Sequence, residues 1–285
     1  MNPAIQAMDP PTAHQEEYVH AYNSAHATKM VQQRNATTHA AFFLPYLQAG
    51  MSLLDCGCGP GTITTGLARA VAPGQTIGVD SAPEQVELAK ANAASAGVTN
   101  IQFEVNDVYA LPYPENSFDA VYAHALVGHL HDPVAALREM WRVLKPGGII
   151  GIRDSDFAGF LLAPTDPLID DGFSLYIRFR QDNGGDPYNG RRLREYVRRA
   201  GFVQTRASAA YECWGTEEET GYIVDVLLAE LAGPRVTEHA VKQGWADREH
   251  FQQIAAALKR WGSHPDAFWG HSWCEAIGWK ERVEG

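Results

Sequence analysis

The chain has 285 residues, 45% of them hydrophobic, and a formal net charge of −11. That is apolar material enough for one large domain, or one domain with a cap. The acidic balance weighs against a nucleic-acid partner, because affinity for a phosphate backbone grows with the cations that displace counterions. The one basic cluster, Arg191, Arg192, Arg194, Arg198 and Arg199, reads as a solvated helix face. No apolar run is long enough to span a membrane, and Met1-Asn2-Pro3-Ala4-Ile5 lacks the pattern of a signal peptide. The expectation is a cytoplasmic protein.

In chain order, residues 1–48 form a polar, helical N-terminal segment or lid. Tyr18, Tyr22 and His26 recur every fourth residue and share one helix face, open to packing or to a ligand. Short apolar runs then alternate with helical patterns, the signature of a parallel sheet with crossover helices. Strands are expected at 51–55, 76–80, 101–105, 120–124 and 148–153, and helices at 62–71, 83–96 and 133–144. Ser81 and Glu84 have capping-box spacing, with Pro83 in the first turn. Lys145-Pro146-Gly147-Gly148 must turn. Beyond Arg153 the alternation breaks. Residues 154–189 read as loop and helix, 190–200 as helix and 202–207 as strand. Two further helices follow at 216–231, with Thr216 and Glu219 as a capping box, and at 247–261. A last strand at 272–279 closes the sheet. The expected architecture is a single α/β domain over 49–285, doubly wound and mostly parallel, with helical cap insertions at about 155–189 and 210–270.

The chemistry is expected where parallel strands end. Gly57, Gly59 and Gly61 follow the first strand, where glycine lets the backbone turn sharply and approach a ligand. The pattern is G-x-G-x-G with Asp55 two positions ahead, not the G-x-G-x-x-G of nicotinamide-binding folds. Asp80 ends the second strand, where a carboxylate can accept from two ribose hydroxyls. Asp107 follows the third, placed to take an adenine amine, with the Val108 N–H for a ring nitrogen. Cys56 and Cys58 lack both disulfide and zinc spacing and read as small buried residues. No metal site is expected.

The segment from Met51 to Asp154 resembles the class I S-adenosylmethionine (SAM)-dependent methyltransferases, in particular their UbiE/Coq5-like small-molecule branch. The matching pieces are Leu54-Asp55-Cys56-Gly57-Cys58-Gly59-Pro60-Gly61, Gly78-Val79-Asp80-Ser81, Asn106-Asp107-Val108, Leu111-Pro112-Tyr113, Ser117-Phe118-Asp119-Ala120-Val121 and Leu144-Lys145-Pro146-Gly147-Gly148. The resemblance implies a Rossmann-like fold. It implies SAM held by the glycine loop from Gly57 through Cys58 and Gly59 to Gly61, by Asp80 at ribose and by Asp107 and Val108 at adenine. Asp55, Ser81, Gln85, Thr62, Tyr22 and His124 are further cofactor candidates. The base-methylating Asn/Asp-Pro-Pro-Tyr/Phe signature is absent. Val121-Tyr122-Ala123-His124-Ala125-Leu126 stands in its place, so a small-molecule acceptor is expected.

Methyl transfer from a sulfonium is an in-line displacement, which needs chiefly a well-placed nucleophile. A base is required only if a proton must leave early. His124, His129 and Asp154 are the candidate catalytic groups. Tyr18, Arg153, Asp156, Tyr176 and Arg180 are candidate acceptor contacts, with Tyr188 and Trp214 as further pocket walls. The quinone-precursor enzymes of the family lack a long insertion near 209–270, which leaves the acceptor to the cap. An alternative is a SAM-binding protein that uses the pocket for cyclisation or regulation without methyl transfer. A homo-oligomer remains open.

Overall fold

The computed structural model describes residues 31–282. Tyr18, Tyr22 and His26 lie outside these. The parallel half of the sheet comprises β1 (Leu53–Cys56), β2 (Thr76–Asp80), β3 (Ile101–Val105), β4 (Phe118–His124) and β5 (Leu144–Ser155). The helices α2 (Thr62–Val71), α3 (Pro83–Ser95) and α4 (Pro133–Val143) make its crossovers, after a short N-terminal turn α1 (Ala36–His39). The order is β3-β2-β1-β4-β5-β8, with β8 (Phe268–Trp279) antiparallel to β5. On the far side of β8 runs β7 (Val203–Trp214), its antiparallel partner. The short β6 (Leu161–Ala163) pairs with β8 in line with β5. This is the expected doubly wound sheet, with its order reversing between β1 and β4.

Two local readings are corrected. Ser81 does not cap α3: its N-cap is Ala82, without a side-chain bond, and the Ala82 N–H is taken by Asp80. Lys145–Gly148 are not a free turn. They form an irregularity inside β5, where the register against β4 jumps from Phe118↔Leu144 to Ala120↔Ile149. Lys145 Nζ there donates to Asp119 Oδ2 at 2.8 Å. The box on α7 (Glu217–Leu231) is formed as read, by Thr216 and Glu219.

The remaining helices gather over one end of the sheet. They are α5 (Pro167–Asp182), α7, α8 (Pro234–Lys242) and α9 (Arg248–Gly262), while α6 (Leu193–Arg199) packs beside β8. Ile223, Leu227 and Leu231 recur every fourth residue on α7, all fully buried. They meet Ile169 and Phe173 of α5 and Ile254, Leu258 and Trp261 of α9 in an apolar core distinct from those against the sheet. The α7–α9 helices thus close on their own interior between the ends of β7 and β8. Helix α8 and the full length of α5 go beyond the expected elements.

The β7–β8 pairing sets what the cap sees. Successive strand side chains alternate faces. Hence Ser208, Glu212 and Trp214 of β7 share a face with Trp269, His271, Trp273 and Glu275 of β8, through the register Ser208↔Glu275, Glu212↔His271 and Trp214↔Trp269. The N-terminal turn covers part of that face. Tyr122 Oη donates to the His39 carbonyl at 2.7 Å, and His39 Nε2 lies 3.5 Å from Glu212.

Candidate active site

The glycine loop is built as expected. Gly57, Gly59 and Gly61 all take positive φ, and a Cβ on Gly59 would meet nothing within 4 Å, so its backbone stands open. Asp80 ties the loop to β2: its Oδ2 accepts from the Gly59 N–H at 2.9 Å and its Oδ1 from the Ala82 N–H at 3.0 Å. Each carboxylate oxygen keeps a lone pair for a ligand hydroxyl. Asp107 is exposed, with one oxygen closing a turn onto the Tyr109 N–H at 2.9 Å. Its other oxygen is open to an amine. The residues present therefore fit an adenosine-bearing cofactor. Asp55 sits under the loop rather than at it: it is 2% exposed and accepts from Thr64 Oγ1 at 2.6 Å. Burial pushes its carboxyl up to about 7, against the Thr64 bond. Cys58 is buried beneath the loop, Ser81 is exposed and Gln85 half-buried on the first turn of α3.

Gly61 is the tightest of the loop glycines. At φ +73° an added Cβ would lie 2.7 Å from Phe103 Cζ and 2.8 Å from Ala89 Cβ. Gly61→Ala is expected to lose about 2–4 kcal/mol of stability, combining overpacking with the left-handed backbone. Urea unfolding checks this, and a loss under about 0.5 kcal/mol would mean the loop accommodates a side chain.

Beyond the loop lies a cavity of about 80 Å³. The ends of β4 and β5 supply Ala125, Asp154 and Ser155; the β7–β8 face supplies Glu212, Trp214, Trp269, His271 and Trp273. The cap adds Tyr176 and Arg180 from α5 and Val226 and Glu230 from α7; Arg34 and His129 complete it. The segment after β4 joins the two regions. Leu126 packs where a Gly57 Cβ would point, 3.1 Å away, while its neighbour Ala125 lines the cavity in a left-handed conformation, φ 50°. For a residue other than glycine such backbone is strained, and strain of this kind gathers at functional sites.

The structure distributes the proposed catalytic and acceptor residues unevenly. Asp154, His129, Tyr176, Arg180 and Trp214 line the cavity. Asp154 accepts from the Gly128 and Ser155 N–H groups at 2.9 and 2.8 Å, and burial still raises its carboxyl above the usual range. His124 is not a base titrating near neutrality. It is buried against Trp273, with ring centroids 4.8 Å apart, and edge-on to His39. Burial, with Arg34, His39 and Arg153 nearby, holds it neutral.

Two acceptor candidates are also corrected. Arg153 is not among the residues that line the cavity: it pairs with Glu275, its cross-strand partner in β8, at 3.2 Å, donates to the Thr38 carbonyl at 3.1 Å and lies over the Trp273 ring. Asp156 is consumed as a clamp on the chain at 190–192: it accepts from Arg191 through the backbone N–H, Nε and Nη2, and from the Ala158 N–H. Tyr188 lies under the Arg191 guanidinium instead of in the cavity.

Glu212, Glu230 and His271 escaped the sequence reading. Burial opposes charge on Glu212, but His39, Arg34 and Trp273 Nε1 hold it down at about 2. Burial pushes His271 down to about 4. For His271 the signal lies in Trp269-Gly270-His271-Ser272-Trp273-Cys274-Glu275, an alternation of large and polar residues with small ones. Starting the last strand at 272 cut it in half.

Comparison with known proteins bears on both regions. A family model described as a methyltransferase domain matches residues 47–198. An uncharacterised methyltransferase of Schizosaccharomyces pombe is 32% identical over 240 residues, 80% of this chain and 84% of that one. A demethylmenaquinone methyltransferase of Lactococcus lactis is 32% identical over 54% of this chain and 66% of its own. Among solved structures, the [4+2]-cyclase SpnF superposes with a TM-score of 0.50 at 26% identity, over 90% of this chain and 80% of that one. With the strand order and the loop, these place the chain in a family: it belongs to the class I SAM-dependent methyltransferases, and SAM is its cofactor.

Proposed function

We propose that the chain transfers the methyl group of SAM to a small, partly apolar metabolite seated in the cap cavity. The observation that carries this reading is the placement of that cavity. It opens at the ends of β4 and β5, joined to the glycine loop by Leu126 and Ala125, with indole, phenyl and phenol walls. SAM supplies the electrophilic methyl. The chain's own share is to hold the donor by the loop, Asp80 and Asp107, and to bring the acceptor atom to about 3 Å from the methyl, in line with the sulfur. Aromatic walls select acceptors by apolar area and shape. No helix among the described residues is long and apolar enough to cross a membrane.

Labelled SAM incubated with the chain and metabolite extracts is expected to give a labelled small product. Label appearing only on protein or RNA would refute the reading. The likeness to a cyclase supports a second reading, in which the cap cavity hosts a cyclisation and SAM is not consumed. Calorimetric SAM binding with no turnover on any extract would favour it.

A further inference from the structure

Three carboxylates border the cap cavity, and only one has no hydrogen-bond donor among the described residues. Asp154 is held by two N–H groups and Glu212 by Trp273 Nε1. Glu230, on α7, borders the cavity from the cap side without such a donor, and the lining also holds a donor without an acceptor. Trp269 is 4% exposed and its Nε1 hydrogen has no acceptor among the described residues. A buried donor without an acceptor and a half-buried carboxylate without a donor, both bordering one aromatic chamber, are groups that a ligand can satisfy.

The charges around the chamber favour one acceptor chemistry. Arg34 and Arg180 border it beside the ionised Glu212, and their charge stabilises an oxygen that gains negative charge. The walls are flat: Trp214 and Trp269 stack with centroids 4.8 Å apart, and Trp273 stands beyond His271. We propose, building on the methyltransferase reading, that the acceptor is a planar aromatic compound bearing an acidic hydroxyl, a phenol or enol, and that Glu230 takes the hydroxyl proton. The balance is complete. The oxygen lone pair forms the new O–CH3 bond as the sulfur–methyl bond breaks, its pair stays on a neutral thioether, and the hydroxyl proton passes to the Glu230 carboxylate and then to solvent.

Glu230 is suited to this by its setting. Burial lifts its carboxyl from 4.5 to about 7, with Arg180 and Arg34 working against the rise. The other titratable groups facing the chamber are Asp154, Glu212, His129 and His271. A base of this kind must be ionised, so kcat should rise with pH through about 7. The stability contribution runs the opposite way. The folded chain keeps a proton that the unfolded chain releases above 4.5, so stability from this group falls as pH rises from 4.5 to 7. Glu230→Gln is therefore expected to fold, with a Tm at pH 8 no lower than the parent's.

The test uses the full chain, labelled SAM, a panel of simple phenols and hydroxyquinones, and a panel of arylalkyl amines. The expected result is an O-methyl ether from at least one hydroxyl compound and none from the amines. With that compound, Glu230→Gln should lose about 100-fold or more of kcat. Its KM should change by less than about threefold, and the rise of kcat near pH 7 should vanish. Glu230→Asp should retain that rise. Methylation of amines alone, or a Gln variant with the parent's kcat and pH profile, overturns the proposal. Methylation of an extract compound without an acidic hydroxyl, and of no panel phenol, overturns it too while leaving the methyltransferase reading intact. SAM binding with no transfer to extract or panel removes both.

Discussion

Asp80→Ala is expected to weaken SAM binding by about 100-fold or more. Two hydrogen bonds to a charged acceptor are worth about 1.5–3 kcal/mol each, and about 1.4 kcal/mol is tenfold in affinity. The same change also frees the glycine loop, since Asp80 takes the Gly59 and Ala82 N–H groups. Titration calorimetry with SAM measures the loss directly. Asp80→Asn separates the two effects, because an amide oxygen can still hold one backbone N–H while its other end now donates. Asp107→Ala removes one bond to an exposed position and should cost less, about tenfold or below. Unchanged affinity in both alanine variants would remove the two aspartates from the cofactor site.

The second large effect lies in the sheet. Glu275→Ala should destabilise the fold by about 3–5 kcal/mol, because removing one partner of a buried pair strands the other charge. Arg153 and Glu275 are 4% and 6% exposed and lie directly opposite each other on β5 and β8. Burial already lowers the Arg153 pKa, with Glu275 opposing that. The carboxylate also accepts from Ser208 Oγ at 2.6 Å, so β7, β8 and β5 meet at this one group. Replacing both partners with methionine should recover most of the loss, since an apolar pair leaves no uncompensated charge. Urea denaturation reads both variants. A single-variant cost under about 1 kcal/mol would put the pair in the class of exposed ion pairs instead.

The loop and the two aspartates of the candidate site were legible because their determinants are local. Gly57, Gly59, Gly61, Asp80 and Asp107 each stand within three residues of a strand end or a helix start, and strand ends follow from hydropathy alone. Arg153 and Asp156 show where that stops. Arg153 lies near the end of β5 and Asp156 just past it, and both look fit for a ligand in the sequence. Which of Arg153, Asp154 and Asp156 faces the cavity depends on the register of β8, more than a hundred residues later. The cavity draws on β4, β5, β7, β8, α5 and α7, so no sequence window contains it. Glu230 is the clearest instance. On its helix it is one more charged residue beside the apolar positions Leu227 and Leu231, and only the fold turns it toward Trp269 and Arg180.

The pairing of β7 with β8 has an evolutionary consequence. The chain leaves the sheet after Trp214 and returns before Trp269, and these two residues are register partners with stacked rings. Everything between them departs and comes back at nearly one point. Closing a longer or shorter excursion between fixed, adjacent ends changes the loop-closure cost only slowly with length. The α7–α9 segment is in that sense a cassette. Its length can change without moving Trp214 or Trp269, so the strands that carry the glycine loop, Asp80 and Asp107 stay as they are.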